Sequence, residues 1–202
     1  MHRPSKARGC ARGRGRTRPR QGASPSHPVR LATGALVLPA PDGSCQGSDL
    51  RPSADDLEQI RTATLCLINR ERAGHGESPL RVNAQLALAA QWHTESMVAG
   101  GYFAHVGPSG RDALDRMRAA GYIASPRVGY EIGENIAWGT GQLSTPRAIV
   151  AAWMGSPGHR ANILDARYRD TAIGVSSHLP GSLGRGAPGG IYTQDFGVIV
   201  AG

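Results

Sequence analysis

Two histidines and one acid stand apart from the other polar residues of this chain: His105 in GYFAHVGPSG, Glu134 in GENIAW and His159 in SPGHRANIL. His105 follows a helix pattern, precedes a turn and is flanked by an aromatic pair. Glu134 interrupts an otherwise apolar strand pattern, where an unpaired buried carboxylate is costly. His159 falls near a helix N-terminus, whose dipole disfavours imidazolium and leaves a ring nitrogen free to accept a proton or a metal. Two imidazoles and a carboxylate suit a divalent cation such as Zn²⁺ with an open fourth position. A metal-free hydrogen-bond network anchoring loops to a sheet would use the same residues. The three lie 29 and 25 residues apart, so spacing alone does not decide whether they converge.

Other schemes are weaker. Ser156, three before His159, forms with it a nominal nucleophile–base pair, with Glu134 as orienter. Capping explains Ser156 more simply: its hydroxyl is expected to accept from the first free N–H groups of a helix, with Pro157 in the first turn. There is no H-E-x-x-H and no P-loop, and MGSPG lacks the first glycine of G-x-S-x-G because position 154 is Met. His93 shares an apolar helical face with Leu86, Ala90 and Met97 and reads as a packed histidine at the core edge. His75, between two glycines, and His178, at a strand end, read as solvated; His2 and His27 belong to the N-terminal segment.

The elements that must position these residues are visible as periodicities. Ser53 with Asp56 resembles a capping box with Asp for the usual Glu, followed by Leu57, Ile60, Thr64, Leu67 and Ile68 at helical spacing up to Gly74 and Gly76. Asn83 is suited to cap a second helix that stops at Gly100-Gly101. A third runs from about Arg111 to Ala120, and Thr145-Pro146 opens a fourth carrying Ile149, Ala152 and Trp153. Residues 131–139, 171–179 and 191–200 read as strands, the last two joined by the Gly- and Pro-rich loop 180–190. Helices come first and strands last, which predicts an α+β fold.

Composition bounds the rest. The 202 residues, 40% hydrophobic, suffice for one domain plus a tail. The formal charge of +8 describes only the start of the chain: nine of the 23 Lys and Arg precede the first acid, Asp42, and the rest face all 15 acids. Residues 1–50, rich in Arg, Gly, Pro and Ser, are expected to be a disordered tail, with residues 51–202 forming the domain. Export is the favoured reading of the tail, a charged region followed by the weak apolar run LATGALVLPA; passive disorder or a misplaced start, and an arm binding nucleic acid, are the lesser readings. No run of 18 apolar residues exists, so no transmembrane helix is expected. Cys45 and Cys66 flank the start of the first helix and form either a disulfide or a buried thiol beside an exposed one.

Five segments taken in order, LCLINRERAGHGESPLRVNAQLALAAQWHTESM, GYFAHVGPSGRDALDRMRAAGY, GENIAWG, AWMGSPGHRANIL and YTQDFG, resemble the CAP superfamily of cysteine-rich secretory, antigen 5 and pathogenesis-related 1 proteins. The chain is similar to its bacterial SCP-domain branch over about residues 57–200. The resemblance implies an α-β-α sandwich with a central antiparallel sheet between helical layers. It also implies a cleft lined by two histidines and two acids, matched here by His105, Glu134 and His159, with Ser156 in the second acid's place. That leaves at most a three-residue protein site for a metal, His105, Glu134 and His159, and no cofactor that the protein requires.

The resemblance specifies fold more than reaction. The expectation is an exported, non-enzymatic binding module for a lipid, a cell-wall component or a protein, monomeric, with an oxidised Cys45–Cys66 pair and weak Zn²⁺ binding; nucleic acid is not the expected partner. The alternative is a metal-assisted hydrolase using His105, Glu134 and His159.

Overall fold

The computed structural model describes residues 33–40 and 43–200. Its elements are α1 (Leu57–Gly74), β1 (Arg81–Val82), α2 (Ala84–Gly100), α3 (Ala113–Ala119), β2 (Gly129–Thr140), α4 (Pro146–Gly155), α5 (Pro157–Ile163), β3 (Asp170–Ser176) and β4 (Gly189–Val200). Short 3₁₀ turns occupy 141–144 and 184–186.

Three of the helix starts follow local chemistry. Asn83 Oδ1 accepts from the N–H groups of Gln85 and Leu86, and α2 ends at Gly101 in the left-handed conformation, φ 66°. Asp112 and Asp115 cap α3 reciprocally, and Thr145 Oγ1 accepts from the Ala148 N–H with Pro146 in the first turn of α4. Two expected caps differ. The Ser53 hydroxyl donates to Asp56 Oδ2 at 2.6 Å instead of closing a capping box, so α1 starts after Asp56. Ser156 is the cap residue of α5 by position, but its side chain makes no capping bond.

The sheet runs β1-β3-β4-β2. Strands β2 and β4 pair antiparallel along their whole length, Gly129 opposite Val200 through Thr140 opposite Gly189, and β3 pairs antiparallel with β4. The sheet is not wholly antiparallel: two-residue β1 pairs parallel with β3, an orientation open to it because the long 83–169 connection separates them.

The pleat assigns two faces. Ile191, Thr193 and Asp195 share one face with Ile136 and Glu134, covered by α2 and α3; Tyr192, Gln194 and Phe196 share the other with Asn135, covered by α1, α4 and α5. The main core lies on this second side, where Ile60, Leu65, Trp153, Val175, Tyr192 and Phe196 are buried. On the first side α2 presses onto β3 because position 174 is glycine; any Cβ there would collide with the Ala90 carbonyl. The result is the α-β-α sandwich implied by the resemblance.

The domain starts earlier than expected. Gly34 N–H donates to the Val82 carbonyl at 2.6 Å, Asn69 Nδ2 donates to the Val37 carbonyl at 2.8 Å, and Cys45 is disulfide-bonded to Cys66 with both residues buried. Residues 33–40 and 43–50 therefore belong to the folded body; the expectations for residues 1–32 lie outside the described residues.

Candidate functional site

Glu134 lies mid-way along β2 on the face beneath α2 and α3, and is only 9% exposed. Both carboxylate oxygens are engaged. Oε1 accepts from His105 Nδ1 at 2.7 Å, and Oε2 accepts from Arg116 Nη2 at 2.5 Å. The same Nη2 donates to the His105 carbonyl at 3.1 Å, while Arg116 Nη1 donates to the Arg111 carbonyl at 3.2 Å, so one guanidinium ties the loop to the strand. Burial pushes the Glu134 carboxyl up, but the His105 hydrogen bond and the Arg116 charge outweigh it and hold the group below its ordinary value.

An ionised carboxylate only accepts hydrogen bonds, so His105 Nδ1 carries the proton they share. His105 comes from the loop after α2, and its side chain is half exposed. His159 comes from the first turn of α5, on the opposite side of β2. Its backbone carbonyl accepts from Asn135 Nδ2 at 3.2 Å, and Asn162 Nδ2 donates to Asn135 Oδ1 at 2.9 Å and to the Glu134 carbonyl at 3.2 Å. These bonds dock α5 on β2, the outer strand. Burial lowers the His159 pKa, and the proximity of His105 lowers it further. His159 Nδ1 is buried with no hydrogen-bond partner among the described residues.

Ser156 precedes this turn half-buried, and no hydrogen bond joins it to His159. His93 is buried as expected of a packed histidine, yet it belongs to the polar cluster: its Nε2 is 3.8 Å from Glu134 Oε1. Burial, aided by the Arg116 charge, lowers its pKa to about 4, so it is neutral. His75 is exposed, its Nε2 3.1 Å from an Arg160 amino group, and His178 is exposed.

Three residues of this cluster were not singled out from the sequence. Arg116 neutralises Glu134, Asn135 aligns α5, and Asp195 stands directly opposite Glu134 in the β2–β4 register. Asp195 carries the same signal as Glu134, an acid inside an apolar strand; Arg116 carries none beyond its place on α3. Among the described residues no three His, Cys, Asp or Glu side chains form a metal-binding group. The carboxylate is committed to Arg116 and to the ring of His105, a placement behind a histidine rather than beside it.

The model of the cysteine-rich secretory protein family, CAP, matches residues 65–196, and the chain belongs to that family. Uncharacterized protein YkwD of Bacillus subtilis (strain 168) is 36% identical over 131 residues, 64% of this chain and 44% of that protein. Uncharacterized membrane protein YlbC of the same strain is 28% identical over 158 residues, 75% of this chain and 40% of that protein. The chain therefore spans less than half the length of these relatives. The crystal structure of an extracellular protein containing a SCP domain from Bacillus anthracis str. Ames superposes with a TM-score of 0.54 at 27% identity, over 72% of this chain and 43% of that one. An outer surface protein from Borrelia burgdorferi, 14% identical, has the same fold at a TM-score of 0.54, over 72% of this chain and 94% of its own. No helix among the described residues is long and apolar enough to cross a membrane.

Proposed function

We propose that this CAP domain is an exported binding module whose cleft, at the outer edge of β2, holds its ligand between the imidazoles of His105 and His159. The observation that carries the reading is the double engagement of Glu134. With one oxygen on Arg116 and the other on His105 Nδ1, the carboxylate is ion-paired and placed to orient a histidine rather than to serve as a general base. Lipid, cell-wall component and protein remain the ligand classes.

The donor set suits a divalent cation held by the two histidines, Glu134 fixing the His105 ring from behind and water completing the shell. Bound there, the ion would polarise a ligand oxygen. Two imidazoles bind more weakly than a four-ligand site, and protons compete for the ring nitrogens as pH falls. Calorimetry with Zn²⁺ at pH 7.5 and 5.5 tests this: binding is expected at the higher pH, weaker at the lower, and lost in His105→Ala. Equal binding at both pH values, or none lost in the variant, places the ion elsewhere. Lipid, peptide and glycan substrates run with and without Zn²⁺ test the hydrolase alternative; turnover abolished by His159→Ala in a folded protein would replace the binding-module reading.

Export is supported by the Cys45–Cys66 disulfide, which suits an oxidising compartment, and by the extracellular and outer-surface descriptions of the two structural neighbours. Fractionation of the native host with thiol titration is expected to find the chain outside the cytoplasm with both cysteines blocked; a cytoplasmic chain with both thiols titratable refutes it.

A further inference from the structure

A second recess is walled in part by Arg116 and His93, the two residues that also face Glu134. It occupies about 190 Å³ between α2, α3 and the loop that joins them. Trp92 and Tyr102 supply aromatic wall, and Arg111, Ser109, Arg116 and His93 supply polar wall. We propose that this recess is a carboxylate-binding subsite, separate from the His105–His159 cleft, which takes the acidic end of an apolar or aromatic molecule.

Charge is the first argument. None of the residues lining the recess is acidic. The Arg116 charge is answered by Glu134, whereas exposed Arg111 has no acidic partner among the described residues. Arg111 Nε donates to Ser109 Oγ at 3.3 Å, which leaves both terminal amino groups for the paired bonds a carboxylate accepts. Unmet hydrogen bonding is the second argument. Arg116 Nε is buried in this wall without a partner, and a ligand or water in the recess would satisfy it. Shape is the third. Trp92 is 38% exposed, an apolar platform at the mouth, and the recess is smaller than the roughly 300–1,000 Å³ of drug-sized sites, so it holds one end group rather than a whole large ligand.

The source of the carboxylate is either a free acid or the C-terminus of a peptide, and the test separates them. The full chain is titrated by calorimetry with N-acetylphenylalanine and with its amide, then with a tripeptide ending in phenylalanine, free and amidated. The free acids are expected to saturate, the amides to bind at least tenfold more weakly. Arg111→Gln, an exposed substitution, removes that discrimination, Trp92→Ala weakens acid and amide alike, and His159→Ala changes neither. Tighter binding of the tripeptide assigns a peptide terminus, and equal binding a free acid; both uphold the subsite. Equal affinity for acid and amide, absence of saturation, insensitivity to Arg111→Gln, or loss in His159→Ala overturns it.

Discussion

Glu134 on β2 and Asp195 on β4 stand directly opposite each other in the sheet, both inside the protein. Like charges directly opposite destabilise a sheet. Here the environments divide the roles: Arg116 and His105 hold the Glu134 carboxyl below its ordinary value, while burial, reinforced by the Glu134 charge, pushes Asp195 well above its own and favours its neutral form. Neither Asp195 oxygen finds a hydrogen-bond donor among the described residues, which a buried anion would require.

Asp195→Asn supplies a permanently neutral side chain of nearly the same shape, matching the form that burial favours. The expected stability change is within about 1 kcal/mol at neutral pH, read by urea unfolding. A raised pKa stabilises fully below the unfolded value and less as pH rises toward the folded one, so the variant is expected to lose this decline above pH 3.8. A loss above about 3 kcal/mol would mean that Asp195 is ionised and partnered.

Arg116→Met strands the Glu134 charge in the interior. The expected cost is about 3–5 kcal/mol, much of which Glu134→Gln in the same chain restores. A double-mutant cycle measures the coupling; additive effects would show that the two side chains do not interact energetically.

His93, lowered to about 4 from 6.5, is neutral in the fold, and its contribution is complete above pH 6.5 and lost as pH falls toward 4. Unfolding curves across that window are expected to show the wild type losing stability relative to His93→Gln as pH drops. A constant difference between the two would show that burial of the neutral ring is not what titrates.

Thr145→Ala removes a cap bond to the Ala148 N–H and is expected to cost about 1 kcal/mol, or roughly 2–4 °C in Tm. Ser156→Ala removes no cap bond and is expected to cost no more than about 0.3 kcal/mol. Calorimetric melting of both variants compares them; an equal loss would mean that Ser156 caps α5 after all.

Much of the fold is legible because its signals are short in range. The Asn83 and Thr145 caps, the Gly101 stop and the periodicities of α1, α2 and α4 act within a turn or two of helix, and each lies within a residue or two of its expected place. Residues 33–50 carry no such period. They are held by distant partners, Val82, Asn69 and Cys66, and so read as tail. Two-residue β1 is too short for any alternation to reveal.

The same division runs through the site. By itself the sequence determined which residues are chemically out of place, an acid in an apolar strand and a histidine at a helix start, because burial and capping preferences belong to residue types and near neighbours. Only the tertiary structure decided what they do. The β2–β4 register set Asp195 against Glu134, α3 brought Arg116 beneath the same carboxylate, and the bonds of Asn135 and Asn162 docked the helix that carries His159 onto β2. Register and docking follow from the packing of whole faces, and protonation follows from charge and solvent at a point in space. Neither quantity is carried by any single stretch of chain.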